Sequence, residues 1–283
     1  MDKRPIGVFD SGMGGLTALR ELRRLLPGED LVYFGDTGRV PYGGRSRETI
    51  TRYARQDVAF LRSFDLKAVV IACGTVTSNS LDVLRAENGL PLFGVVEPAA
   101  REAVTATGAK KVGVIATAAS IRSGAYERVI AALDPSIRLY PKPCPLFVPL
   151  VENGRFAVGD RVVEQVAEEY LAELRENGVD TLVMGCTHYP LLAQVIANTM
   201  GPGVTLIDAG AACARAVAGE LAARGFLSDG KAGSCRYYVS DSTDDFAALA
   251  SIFLRSPVTE PVEQVEIESY SPESPLHSGE SRI

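Results

Sequence analysis

The chain has 283 residues, 46% of them hydrophobic and 23% charged, with a formal net charge of −6. That length suits one large α/β domain or two linked lobes, with a core that needs neither disulfides nor metal. The acidic balance argues against a nucleic-acid partner, and the local cluster Arg20, Arg23 and Arg24 reads as a solvated helix face.

The charged start leads straight into a short apolar run at 6–9, which has neither the length nor the cleavage site of a signal peptide. No stretch reaches the roughly 18 consecutive apolar residues of a membrane span, so a cytoplasmic protein without membrane contact is expected. Residues 6–10 predict a strand, closed by the Gly-rich turn Ser11-Gly12-Met13-Gly14-Gly15. Leu16, Leu19, Leu22 and Leu26 then recur at helical spacing until Pro27-Gly28. A strand at 31–35 leads to a loop over 36–44, and a helix follows over 46–64 with Ser46 as its cap. A buried strand at 68–72 places Cys73 at its C-terminal end, before a helix at 78–87.

The pattern then restarts: strand 112–116, helix 120–133, strand 137–140 and a long helix over 159–177. A buried strand at 181–185 places Cys186 at its C-terminal end, with a helix at 191–200 behind it. Strand 205–208, helix 211–224, strand 236–239 and helix 244–254 complete the series. The tail 269–283 is rich in Ser, Pro, Glu and Gly and is expected to be disordered. Strands alternating with helices give an α/β fold with mostly parallel sheets flanked by helices. Ligands of such sheets bind beyond the strand C-termini, where Asp10, Cys73, Thr117 and Cys186 all fall.

Five cysteines are present: Cys73, Cys144, Cys186, Cys213 and Cys235. None forms a Cys-x-x-Cys pair, which disfavours zinc and thioredoxin-like readings. Cys73 and Cys186 share one context, an apolar strand ending in cysteine, polar residues and a helix. A helix N-terminus lowers a thiol pKa, so these two are the candidates for chemistry, and the other three read as buried, inert thiols. Of the two histidines, His277 lies in the tail and His188 stands two residues from Cys186, so a single Cys–His nucleophile is one option. Moving an α-proton between two faces of an amino acid is the other. It requires two groups of one kind, each acting as acid and as base, and a cysteine from each of two lobes meets that demand.

Four segments sharpen the choice: Ile6-Gly7-Val8-Phe9-Asp10-Ser11-Gly12-Met13-Gly14-Gly15-Leu16-Thr17; Phe34-Gly35-Asp36-Thr37-Gly38-Arg39-Val40-Pro41-Tyr42-Gly43; Cys144-Pro145-Leu146-Phe147-Val148-Pro149-Leu150-Val151-Glu152; and Gly185-Cys186-Thr187-His188-Tyr189-Pro190-Leu191-Leu192. With these in order, the chain resembles the glutamate racemases of the aspartate/glutamate racemase family over nearly its whole length. The resemblance implies two similar lobes, 1–98 plus 207–268 and 99–206, with the active site in the cleft between them. It implies interconversion of L- and D-glutamate for peptidoglycan and cell-wall synthesis, without pyridoxal phosphate, metal or nucleotide. It implies Cys73 and Cys186 as the acid/base pair, Asp10 assisting Cys73, and Glu152 and His188 assisting Cys186. Ser11, Tyr42, Gly43, Gly74, Thr75, Thr117 and Thr187 would hold the substrate, together with Asp10 and His188, largely through hydroxyl and backbone donors.

Taken alone, Asp10 reads equally as a cap of its turn, Glu152 as a loop acid and His188 as a structural histidine. One departure stands beside Cys73: the family's usual residue there is Asn, and this chain has Gly74. Restoring Asn is expected to lower KM for glutamate. A racemase or isomerase of the same fold with another substrate, such as aspartate, and a non-catalytic binding protein of the gyrase-inhibitor kind are the alternatives. The sequence leaves a homodimer open.

Overall fold

Strands buried on both faces are the frame on which the chain is hung. In the computed structural model, whose described residues are 1–230, 232–244 and 246–271, the first part runs β1 (Ile6–Asp10), α1 (Leu16–Leu25), β2 (Leu31–Gly35), α2 (Arg47–Leu61), β3 (Ala68–Ile71), α3 (Gly74–Glu87), β4 (Leu92–Gly94) and α4 (Val96–Ala106). The middle runs β5 (Lys111–Ala116), α5 (Ala118–Arg122), α6 (Ala125–Leu133), β6 (Arg138–Pro143), α7 (Phe147–Glu152), α8 (Arg161–Glu176), β7 (Thr181–Met184), α9 (Ala193–Met200) and β8 (Thr205–Asp208). The chain then returns through α10 (Ala209–Ala223), β9 (Cys235–Val239), α11 (Phe246–Leu254) and β10 (Val262–Gln264).

Among the described residues the strands form two parallel sheets, one per lobe, in the orders β10-β9-β2-β1-β3-β4 and β6-β5-β7-β8. Every residue of β1, β2, β3 and β7 is buried, as expected of parallel strands covered on both faces. Helix α2, capped by the Ser46 hydroxyl accepting from Thr49 N–H, covers one face of the first sheet with Ile50, Val58, Phe60 and Leu61. On the other face the core runs on through residues of α1, α4 and α10 into that of the second sheet.

This pairing positions the site. β1 and β3 are neighbours in register, so Asp10 and Cys73 leave the first sheet side by side. β5 and β7 are likewise neighbours, so Thr117 and Cys186 leave the second sheet side by side.

Several boundaries differ from the sequence reading. Helix α3 begins at Gly74, not residue 78, because Cys73 caps it: its backbone is extended and its sulfur accepts from Val76 N–H at 3.5 Å. The single helix expected over 120–133 is two, broken at Gly124, whose φ of 65° only glycine adopts readily. Strands β4 and β10 and helices α4 and α7 were unread. β8 pairs with β7 through Asp208. Two residues of the tail expected to be disordered from 269 are ordered: Ser269 closes a short 3-10 turn and the Tyr270 ring packs edge-on against Phe60. The rest of that tail, with His277, lies outside the described residues. Among the described residues no helix is long and apolar enough to cross a membrane.

Candidate active site

Asp10 ends β1 with its side chain fully buried and divides its two oxygens between the lobes. One accepts from the Gly12 N–H at 3.1 Å, the turn-capping role. The other accepts from the Thr187 hydroxyl of the second lobe at 3.4 Å. Burial raises its pKa, opposed by the His188 charge and by the Gly15 and Gly12 N–H groups.

Cys73 donates its thiol hydrogen to Ser11 Oγ at 3.3 Å. Its expected acidity is overturned. Burial, with the Asp10 charge beside it, pushes the thiol up to about 12, outweighing the Ser11 and Val76 hydrogen bonds that favour the anion. A helix N-terminus is a weak lever on a buried sulfur beside the charge of a carboxylate. All five cysteines are buried, so burial does not separate the two candidates from the rest. Their place does, because Cys73 and Cys186 line a common cavity and Cys144, Cys213 and Cys235 do not.

Cys186 follows β7 with only Gly185 between, and its sulfur lies 3.9 Å from His188 Nδ1. The opposite ring nitrogen lies 3.2 Å from Glu152 Oε1, and the ring edge meets Phe253 of α11 at a centroid distance of 5.6 Å. Burial disfavours the imidazolium, but the Cys186 and Glu152 contacts and the Asp10 charge outweigh it and hold His188 up to about 10. Glu152 is no loop acid: it ends α7, which carries it over the cleft.

The cavity, about 390 Å³, opens between the lobes. The first lobe contributes Ser11, Tyr42, Gly43, Cys73, Gly74 and Thr75. The second contributes Thr117, Glu152, Cys186, Thr187 and His188; Asp10 of the first lobe, expected to touch the substrate, is not among the lining residues and reaches the wall through the Thr187 hydroxyl. The lobes touch around it. Thr75 and Thr117 hydroxyls meet at 2.9 Å, Ala119 N–H donates to the Gly43 carbonyl at 3.0 Å, and the Thr17 hydroxyl donates to the Thr187 carbonyl at 2.9 Å.

Two candidate binding residues act differently from the sequence reading. The Tyr42 hydroxyl is held by Asp36 and Asp57, so Tyr42 offers the cavity ring and backbone, not a hydroxyl donor. Gly74 offers no donor side chain but a close approach: a Cβ there would lie nearer the Gly185 carbonyl oxygen than the 3.0 Å that real Cβ atoms keep. The sequence does not announce the apolar wall of Pro145, Val148 and Pro149, although Pro145 precedes α7 and Val148 and Pro149 lie within it, in one of the four segments that carry the resemblance. Among the described residues no three His, Cys, Asp or Glu side chains are grouped to hold a metal ion.

The His188 environment sets a first expected result. Its imidazole should titrate with a midpoint near 10, and Glu152→Gln should lower that midpoint, both read from the ring proton shifts by NMR. The pKa is raised above the ordinary 6.5, so the stability contributed is full below 6.5 and lost as pH rises through about 10. Urea unfolding of the native chain and of His188→Asn should converge across that window. A midpoint near 6.5 would refute the charged pair.

Comparison with known proteins gives the same outline. The family described as Asp/Glu/Hydantoin racemase matches residues 6–217. A glutamate racemase of Geobacter metallireducens is 44% identical over 270 residues, spanning 95% of this chain and 99% of that one. The crystal structure of glutamate racemase from Francisella tularensis in complex with D-glutamate is 37% identical and superposes with a TM-score of 0.88 over 95% of this chain and all of that one. That of the Thermus thermophilus glutamate racemase in complex with β-chloro-D-alanine is 43% identical, with a TM-score of 0.84 over 95% and 99% of the two chains.

Proposed function

The chain belongs to the Asp/Glu/hydantoin racemase family and is an amino-acid racemase, and from that premise we propose that it interconverts L- and D-glutamate by two-cysteine proton transfer. The observation that carries the mechanism is the delivery of one cysteine from each sheet to a single cavity, with a carboxylate behind one and a His–Glu pair behind the other. One sulfur, as thiolate, takes the α-proton from one face of the substrate. The planar carbanion then receives a proton from the thiol on the other face, which leaves the opposite enantiomer and exchanges the roles of the two sulfurs. Cys73, held up to about 12, carries its proton in the resting cleft and serves as the first acid. His188, charged and 3.9 Å from Cys186, stabilises the thiolate form of the first base. The α-proton is a very weak acid, so the remaining walls must favour the carbanion. The Thr75 and Thr117 hydroxyls and the Tyr42-Gly43 backbone are suited to hold the two carboxylates of glutamate, while Val148 and Pro149 exclude water from the stem. The product would supply D-glutamate for peptidoglycan synthesis in the cytoplasm.

The test is α-proton exchange in deuterium oxide, followed with circular dichroism and without added pyridoxal phosphate or metal. Either glutamate enantiomer should lose its rotation and gain deuterium at the α-carbon. Exchange of aspartate with none of glutamate would overturn the substrate.

A further inference from the structure

Behind the cavity wall lies a buried polar cluster that proton transfer does not use. Asp36 follows β2, Asp57 sits mid-way along α2, and both carboxylates are fully buried. The Arg39 guanidinium bridges them, with Nε donating to Asp36 at 2.7 Å and another nitrogen to Asp57 Oδ1 at 2.9 Å. It also donates to Gln56 and stacks over the Tyr53 ring at 4.3 Å. Between the two acids stands the Tyr42 hydroxyl, which donates to Asp36 Oδ2 and lies 3.3 Å from Asp57 Oδ2. The loop they tie is the one whose Pro41, Tyr42, Gly43 and Gly44 face the cavity.

Counting hydrogens decides the state of this cluster. A phenol has one hydrogen and cannot donate to two carboxylates. Asp36 receives it, and also receives Arg39 Nε and the Ser240 hydroxyl, each at 2.7 Å. Asp57 Oδ2 is left facing the phenol oxygen with no hydrogen between them unless it brings its own. Two buried carboxylates against one guanidinium would also leave a net negative charge out of water, which is strongly unfavourable.

We propose that Asp57 is a positioning residue of the substrate cleft, which carries a proton and closes a chain from Asp57 through Tyr42 to Asp36 that fixes the Tyr42-Gly43 segment on the cavity wall. Burial first, and then the Asp36 charge, drive the Asp57 carboxyl well above the usual carboxylate range, which supports the assignment. The fixed segment carries the Gly43 carbonyl to Ala119 N–H at 3.0 Å, so the chain sets the first lobe's wall against the second lobe.

The experiment has two arms. The kinetic arm rests on the glutamate reading above, and the infrared arm does not. Asparagine reproduces the neutral acid in shape and in having a donor, so Asp57→Asn should keep KM for glutamate within about 3-fold of the native value. Asp57→Leu and Tyr42→Phe, which break the chain, should each raise KM by about 10-fold with kcat within about 3-fold. In the infrared, the native chain at neutral pH should show a protonated-carboxyl stretch that Asp57→Asn lacks. A native spectrum that matches that of Asp57→Asn in this band, or an Asp57→Asn KM as damaged as that of Asp57→Leu, overturns the protonated state. An unchanged KM in Tyr42→Phe overturns the positioning role, and that variant decides the point if Asp57→Leu does not fold.

Discussion

Alanine in place of Cys73 or of Cys186 is expected to end the interconversion of glutamate enantiomers, with kcat falling by at least roughly 10²–10⁴-fold, the contribution of one positioned acid or base. The reason lies in the division of labour between two faces. With Cys73 gone, Cys186 can still take a proton from the enantiomer whose α-hydrogen faces it, but nothing on the far side returns one. The outcome should be exchange without inversion: deuterium enters one enantiomer only, slowly, and its rotation stays. Cys186→Ala should show the mirror preference. Both substitutions delete one buried sulfur, so thermal melts are expected to stay cooperative and separate lost chemistry from lost fold. Full turnover in either variant would refute a two-base mechanism. Exchange of both enantiomers by one variant would refute the assignment of one cysteine to each face.

The legible parts of the molecule were those set by local sequence. β1 and β2 are apolar runs ending in aspartate or glycine, β8 is a short Thr-Leu-Ile-Asp strand, and the limits of all three match the reading residue for residue. The strand-end position of Cys73 and Cys186 follows from the same pattern and led to the cavity. What stayed hidden was set by partners distant in sequence. The start of α3 was unreadable because Thr75, Val76 and Thr77 are poor helix formers, and the cap that overrides them is a cysteine sulfur. The Cys73 acidity was misread because local context gives the helix N-terminus but not Asp10, sixty residues away, or the depth of burial. The direction of the Tyr42 hydroxyl was misread because Asp57 sits in the middle of an amphipathic helix, where nothing in the local pattern marks it as a partner of the preceding loop.

Gly74 is where geometry reverses an expectation. The bare sequence suggests that asparagine there would lower KM by adding hydrogen bonds to the substrate. The structure instead places the Gly185 carbonyl oxygen inside the space that any Cβ at residue 74 would need. That oxygen belongs to backbone, so it cannot swing aside as the far end of a flexible side chain would. A side chain at residue 74 must therefore part the two cysteine-bearing strand ends by roughly 1 Å, and a misplacement of that size costs on the order of 10² in rate. Gly74→Ala and Gly74→Asn should both lower kcat/KM for glutamate by about that factor. The helix itself should not suffer, because alanine is favoured over glycine in a helix by about 1 kcal/mol. The alanine variant isolates the steric effect, since it adds the Cβ and no hydrogen-bonding group. A silent Gly74→Ala combined with a lower KM in Gly74→Asn would mean that the lobes yield at this contact and that a side-chain amide serves the substrate. A loss shared by both would mean that close approach of the two lobes, made by two facing glycines, sets the distance over which the proton is moved.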